Sequence, residues 1–384
     1  METINRVLKK TQESFFLFGP RGTGKSTWIE MVFKNALAVN LLEPDVFRRF
    51  AARPETLLDL VRAQTKSATI LIDEVQKVPE ILDVVHRLIE ENRERQFILT
   101  GSSARKLKRS GVDLLAGRAA LKTMHPFMAA ELGAGFHLDE ALKTGLLPVI
   151  RGSKNPEEAL KSYTALYLKE EVQMEGLVRN IGAFARFLEV ISFSHASLLN
   201  ISNIARDCEI ERKTVEGYIA VLEDLLLAFK LPVFSRKAKR QLSEHPKFYL
   251  FDAGVFQSLR PRGPLDQPQE IIGGALEGLV AQHLRAWAAY SAGKNQLCFW
   301  RTRSGVEVDF VVYGEAGFWA LEVKNSAKVN DRDLRPLRLF SEDFPESRAL
   351  FLYRGRERLL RHGVLCLPCD EFLLQLEPDK PIQG

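Results

Sequence analysis

Ser14-Phe-Phe-Leu-Phe18, Gly19-Pro20-Arg21-Gly22-Thr23-Gly24-Lys25-Ser26 and Thr27-Trp-Ile-Glu-Met-Val-Phe33 follow one another directly in the sequence. The first is an apolar run of strand length, the second matches G-x-x-x-x-G-K-[ST], and the third has a helical pattern. In a strand, glycine-rich turn and helix of this kind, backbone N–H groups and the positive end of a helix dipole converge on phosphate. Gly19, Pro20, Arg21, Gly22, Thr23, Gly24, Lys25, Ser26 and Thr27 are therefore the expected nucleotide-binding residues. Lys25 would neutralise the β- and γ-phosphates of ATP. Ser26 would offer its hydroxyl to Mg²⁺, a hard ion that takes few protein ligands beside substrate oxygens. A glycine-rich turn with a solvated lysine is the plain alternative, and the flanking strand and helix argue against it.

Forty-eight residues beyond Lys25, Thr69-Ile-Leu-Ile-Asp73-Glu74 is a second apolar strand, ending in two acids. It looks like a Walker B segment. Asp73 would serve the metal, and Glu74 would polarise a water for in-line attack on the γ-phosphate. A third strand, Gln96 to Thr100, runs into Thr100-Gly-Ser102-Ser103, whose hydroxyls at a strand end are expected to orient that water or to cap a helix. Short apolar strands alternating with helical stretches predict a parallel sheet covered on both faces.

With Leu115-Ala-Gly-Arg118 added, these segments resemble AAA+ ATPases of a widespread prokaryotic family with a C-terminal nuclease-like domain. The resemblance runs from the phosphate loop to about residue 355. It implies that Arg118 is an arginine finger, acting from this or a neighbouring subunit, with Arg105 as second choice. The family's Gly-Gly-Leu-Pro-Glu segment corresponds to Gly145-Leu-Leu-Pro148-Val149 here, which lacks the glutamate, so no role is assigned to it.

Farther along, Ile201 to Arg206, a turn, and Glu211 to Leu227 read as two helices. Arg212, Lys213 and Thr214 stand near the start of the second, where a helix-turn-helix presents side chains to a DNA groove. Two strands, Ala228 to Phe234 and Lys247 to Phe251, flank Arg236, Lys237, Lys239 and Arg240, a basic tip expected to act as a wing on phosphates. A solvated hairpin or a subunit contact would use the same charges.

After the proline- and glycine-rich stretch 261–268, the order is helix, three strands, helix, strand. Asp309 lies in the second strand and Glu322-Val-Lys324 in the third, where alternation puts Glu322 and Lys324 on one face. This order and these residues resemble a PD-(D/E)XK nuclease, with Val308 where a proline commonly stands. The resemblance implies Mg²⁺ on Asp309 and Glu322, with Glu277 and Lys324 nearby. A salt-bridge cluster, or a domain that grips DNA without cutting it, are the other readings.

Composition bounds the rest. A chain of 384 residues accommodates two or three domains, and 46% hydrophobic with 27% charged residues excludes disordered and fibrous classes. No apolar run is long enough for a bilayer span, and four cysteines are too few for a disulfide framework, so a cytoplasmic protein without a membrane partner is expected. A net charge of +5 permits a polyanionic partner without requiring one. Cys366-x-x-Cys369 has no second pair and reads as packed thiols.

The expected fold is α/β: a P-loop ATPase parallel-sheet domain (1–145), a helical and winged-helix module (146–255) and a restriction-endonuclease-like α/β domain (256–384). The expected function is an ATP- and Mg²⁺-dependent hydrolase of AAA+ type, homo-oligomeric and acting on DNA. The alternatives are an ATP-gated DNA nuclease and a nucleotide-controlled scaffold for partner proteins.

Overall fold

Phe15, Phe16, Leu17 and Phe18 are all buried, and the strand they form, β1 (Phe15–Phe18), is covered on both faces as its unbroken apolar sequence requires. The computed structural model that shows this describes residues 4–101, 115–167, 180–235 and 245–382. Two units emerge: one holds residues 8–125 with 223–227, the other residues 1–7, 126–222 and 228–384.

In the first unit, β1 is followed by α1 (Lys25–Val32), β2 (Leu37–Asn40), α2 (Pro44–Ala52), α3 (Thr56–Arg62), β3 (Thr69–Asp73), α4 (Ile81–Glu91), β4 (Gln96–Gly101) and β5 (Ala120–Thr123). The five strands run parallel in the order β2-β3-β4-β1-β5. This is the expected α/β parallel sheet. Phe16, Phe18, Ile70, Ile72, Phe97 and Leu99 pack with Phe50, Leu57 and the buried stripe of α4, Ile81, Leu82, Val85 and Leu88. Burying each such side chain is worth about 1.5–3 kcal/mol, and α4 leaves Asp83, Arg87 and Glu90 outside. From β1 the chain crosses over β4 and β3 to reach β2, and from β4 it crosses over β1 to β5. These reversals leave a crevice at the carboxyl ends of the strands, where ligands of open parallel sheets bind.

The second unit begins with short helices, among them Leu138–Thr144 and Pro156–Ser162, and a longer one, Ile181–Ser192. Gly145 ends the first of these with φ +75°, and the next N–H, of Leu146, donates to buried Asp252 Oδ2 (2.8 Å). Asp252 Oδ1 also accepts from Gly254 and Val255, capping the helix Ala253–Leu259. A side chain at position 145 would collide with that carboxylate, so this glycine has a structural task.

Next come β6 (Ser197–Leu198), the helices Ile201–Cys208 and Arg212–Asp224, β7 (Ala228–Leu231) and β8 (Lys247–Leu250), with an antiparallel sheet ordered β6-β8-β7. The helix Pro268–Tyr290 leads into β9 (Asn295–Arg301), β10 (Glu307–Gly314) and β11 (Gly317–Lys324), an antiparallel meander. The helix Arg335–Asp343, β12 (Arg348–Tyr353), β13 (Leu359–Arg361) and β14 (Val364–Pro368) complete a mixed sheet ordered β13-β14-β12-β11-β10-β9. The helix, three strands, helix, strand order of the sequence is present, extended by the β13–β14 hairpin. The segments 146–255 and 256–384, read separately from the sequence, share this unit apart from residues 223–227.

All four cysteines are buried and free, and burial pushes the Cys369 thiol up to about 12. Among the described residues no helix is long and apolar enough to cross a membrane.

Candidate functional site

The loop after β1 curls back on itself because two of its glycines, Gly22 (φ +83°) and Gly24 (φ +86°), take the left-handed conformation that a side chain resists. Gly19 is needed for a different reason. A Cβ there would stand 2.5 Å from the Met124 carbonyl oxygen. Thr23 is buried and donates from Oγ1 to the Pro20 carbonyl (2.8 Å), closing the curl. Lys25, the first residue of α1, is buried with its ammonium on the Gly19 (2.7 Å) and Pro20 (3.3 Å) carbonyl oxygens. Arg21, Ser26 and Thr27 are exposed.

β3 lies two strands from β1, with β4 between them, and its carboxyl end brings Asp73 to α1. Ser26 Oγ donates to Asp73 Oδ2 at 3.5 Å. The structure thus sets a hydroxyl and a carboxylate, both hard oxygen donors, side by side at the mouth of the loop. That donor set suits Mg²⁺.

Glu74 follows Asp73 with φ +57° and ψ +47°, a left-handed conformation that costs a non-glycine residue about 1–2 kcal/mol. Two contacts hold it there. Its N–H donates to Thr100 Oγ1 (3.2 Å), and its Oε2 accepts from Gln76 Nε2. Thr100, fully buried at the end of β4, donates in turn to Asp73 Oδ1. Its hydroxyl thus ties the two acids together, donating to the side chain of one and accepting from the backbone of the other. Replacing Thr100 by valine is expected to raise hydrogen exchange at the Glu74 amide at least tenfold, while Thr100→Ser preserves protection. Unchanged exchange in the valine variant would detach Thr100 from this role.

Arg118 stands elsewhere. Its guanidinium pairs with Glu90, in the last turn of α4. Because α4 returns from the carboxyl end of β3 to the start of β4, Glu90 and Arg118 lie at the amino edge of the sheet, as does Ala120, which donates to Ser14. The phosphate loop is at the carboxyl edge, about 13 Å away for strands of four residues. Within one chain Arg118 does not reach that loop. Ser102, Ser103 and Arg105 lie outside the described residues.

In the second unit, Ile201–Cys208 and Arg212–Asp224 are joined by a tight turn through Glu209 (φ +56°), with Ile210 donating to Ala205 (3.1 Å). Arg212 and Lys213 are exposed at the start of the second helix, whose buried side carries Val215, Tyr218, Ile219 and Leu222. Arg236, Lys237, Lys239 and Arg240 lie outside the described residues.

The carboxylates of this unit gather around a residue that the sequence reading passed over. Lys247, first residue of β8, is buried, and its ammonium meets Glu277 Oε1 (2.7 Å), Glu307 Oε1 (2.5 Å) and Asp309 Oδ1 (3.1 Å). Tyr249, on the same face of β8, donates to Glu277 Oε1 (2.6 Å). Asp309 sits where the β9–β10 register skips, between Val308 and Val311, and its second oxygen accepts from the Val323 N–H (2.9 Å). Lys324 pairs with Glu322 Oε1 (2.7 Å), and Arg301 with Glu307 Oε2 (2.5 Å). Burial, with Asp309 adding to it, pushes Glu277 up to about 7 and Glu322 well above the carboxylate range. Burial also opposes the charge on Lys247, but Glu277, Tyr249, Asp309 and Glu307 outweigh it and hold its ammonium well above the usual lysine range. The only sequence signal was a Lys-x-Tyr pair on a strand otherwise apolar and buried throughout.

A divalent ion does not fit this arrangement. Both Asp309 oxygens are already engaged, Glu277 accepts from two donors, and Lys324 is spent on Glu322. Among the described residues no three His, Cys, Asp or Glu side chains form a group that could hold a metal ion.

Residues 11–133 match a family model described as an AAA domain. Residues 135–266 and 272–372 match two further models, each described as a domain of unknown function (DUF8612 and DUF4143). No curated protein matches the chain. Among solved structures, the chain is similar to a DNA replication initiation factor (16% identity, 56% of this chain and 83% of that one, TM-score 0.25). It is also similar to a Signal Transduction ATPase with Numerous Domains (STAND) protein with a tetratricopeptide repeat sensor from Pyrococcus horikoshii (13% identity, 72% and 43%, TM-score 0.26). A third is a protein from Vibrio cholerae (11% identity, 95% and 96%, TM-score 0.20).

Proposed function

With the AAA domain of residues 11–133 as premise, we propose that this chain is a Mg²⁺-dependent ATP hydrolase whose nucleotide state controls action on DNA. The observation that carries the reading is the meeting of Ser26 on α1 with Asp73 on β3, 3.5 Å apart beside a loop that already holds a buried lysine. No simple structural role requires that combination at one strand edge.

The residues divide the work. Gly22 and Gly24 let the loop curl so that its amides face the phosphates, and Lys25 exchanges its two carbonyl partners for the β- and γ-phosphates. Ser26 and Asp73 would hold Mg²⁺, which neutralises charge on the phosphate oxygens. Glu74 accepts a proton from the attacking water, its carboxylate steadied by Gln76 and its backbone by Thr100. Arg118, at the opposite edge of its own sheet, serves a neighbouring copy in a homo-oligomer. DNA contact is assigned to Arg212 and Lys213 on the exposed start of their helix and to the basic run Arg236, Lys237, Lys239 and Arg240. These belong to a winged-helix module that precedes a nuclease-like domain.

The test is ATP turnover by the full chain, alone and with duplex, single-stranded or branched DNA, at two salt concentrations. The reading expects stimulation severalfold by at least one DNA, weaker at the higher salt and lost in Arg212→Ala/Lys213→Ala. ATP hydrolysis indifferent to every DNA, with no salt-dependent DNA binding, would leave the ATPase and remove the DNA. A nucleotide-controlled protein scaffold would then be the better account.

A further inference from the structure

We propose that Lys247 is the resident cation of the carboxylate cluster formed by Glu277, Glu307 and Asp309: its ammonium stands where a nuclease of this outline would need a divalent ion, and the unit therefore grips rather than cuts.

The stoichiometry is complete. An ammonium has three N–H donors, and Lys247 has three carboxylate partners, one from the helix Pro268–Tyr290 and two from β10. Its separations, 2.5–3.1 Å, are hydrogen-bond distances, whereas magnesium sits 2.0–2.1 Å from its ligands and demands octahedral space. Ion and ammonium exclude one another. Lys247 is on β8, in the three-stranded sheet, while its partners belong to the six-stranded sheet and its covering helix. The amine thus fastens one sheet to the other, and Tyr249 adds a second tie to Glu277. Glu322 keeps one buried oxygen, Oε2, without a hydrogen-bond partner. It is a lone donor beside a site whose other three carboxylates are held by the Lys247 ammonium, too little for a metal while Lys247 remains.

Removing the amine should convert the cluster. Glu277, Glu307 and Asp309 would then face one another without their shared cation, an arrangement that binds divalent ions or repels itself. The experiment uses the full chain carrying Asp73→Asn, so that the nucleotide site contributes no metal, and reads Mn²⁺ binding by electron paramagnetic resonance. With Lys247 present, no Mn²⁺ is expected at the cluster, and supercoiled DNA incubated with Mg²⁺ or Mn²⁺ stays intact. Lys247→Ala is expected to bind Mn²⁺ at least tenfold more tightly, a gain cancelled by Asp309→Asn. Lys247→Gln replaces the alanine variant should that one fail to fold. Mn²⁺ bound to the Lys247 chain and lost in Glu322→Gln would overturn the proposal. So would cleavage of DNA abolished by Asp309→Asn, or equal Mn²⁺ affinity with and without the lysine. Because ATP turnover is not read, the outcome is separate from that of the hydrolase reading.

Discussion

Glu74→Gln is expected to bind ATP as the parent chain does and to lose turnover by about 10²–10⁴-fold, the usual contribution of a positioned general base. The substitution keeps size, hydrogen-bonding reach and the left-handed backbone, because the Glu74 N–H contact to Thr100 does not depend on the side chain. Its carbonyl oxygen can still accept from Gln76 Nε2. What disappears is the capacity to take a proton. Calorimetry for nucleotide affinity and phosphate release for turnover separate the two effects. Turnover equal to that of the parent would remove Glu74 from the mechanism.

Lys25→Ala is expected to fail one step earlier, weakening ATP binding about 100-fold or more, roughly 2.7 kcal/mol. In the structure this amine rests on the Gly19 and Pro20 carbonyls, so it is held inside the loop before any phosphate arrives. A charge-assisted hydrogen bond is worth about 1.5–3 kcal/mol, and an amine bridging two phosphate groups makes at least one. Alanine loses that and leaves two carbonyl oxygens facing the anion. Lys25→Arg should not restore binding, because the lysine is buried and a broad planar guanidinium does not take the place of a compact ammonium. Wild-type affinity in the alanine variant would show that nucleotide binds elsewhere.

The parts of the fold that were readable in advance are those whose cause is local. β1, β3 and β4 announce themselves as unbroken apolar runs, and the loop between β1 and α1 by its glycines, since left-handed backbone demands them at Gly22 and Gly24. The edge strands β2 and β5 were not foreseen. Each has four residues, mostly partly exposed, and is fixed by pairing with a neighbour rather than by its own pattern. In the candidate site, Ser26, Asp73 and Glu74 were named from motif and spacing, but the task of Thr100 depends on β4 lying beside β3. Lys247 was invisible for the same reason. A lysine before three apolar residues reads as a solvated strand end, and only partners 30 to 62 positions away explain its burial. The placement of Arg118 against Glu90 follows from the path of α4, which no local pattern reports.

The first described residues belong to the second unit, although the next 118 build the first. Arg6 is buried against Glu131, 125 positions later (Nε to Oε1, 2.8 Å), and reaches Tyr290 Oη at 3.3 Å. Synthesis therefore runs against architecture. Almost all of the first unit is translated before Glu131, so Arg6 waits for its partner while the inserted sheet is being made. Once Glu131 has followed, the chain still passes between the two units at four places, after Val7, His125, Leu222 and Leu227. A nucleotide-driven rearrangement of the first unit would then pull on its host through four covalent tethers at once.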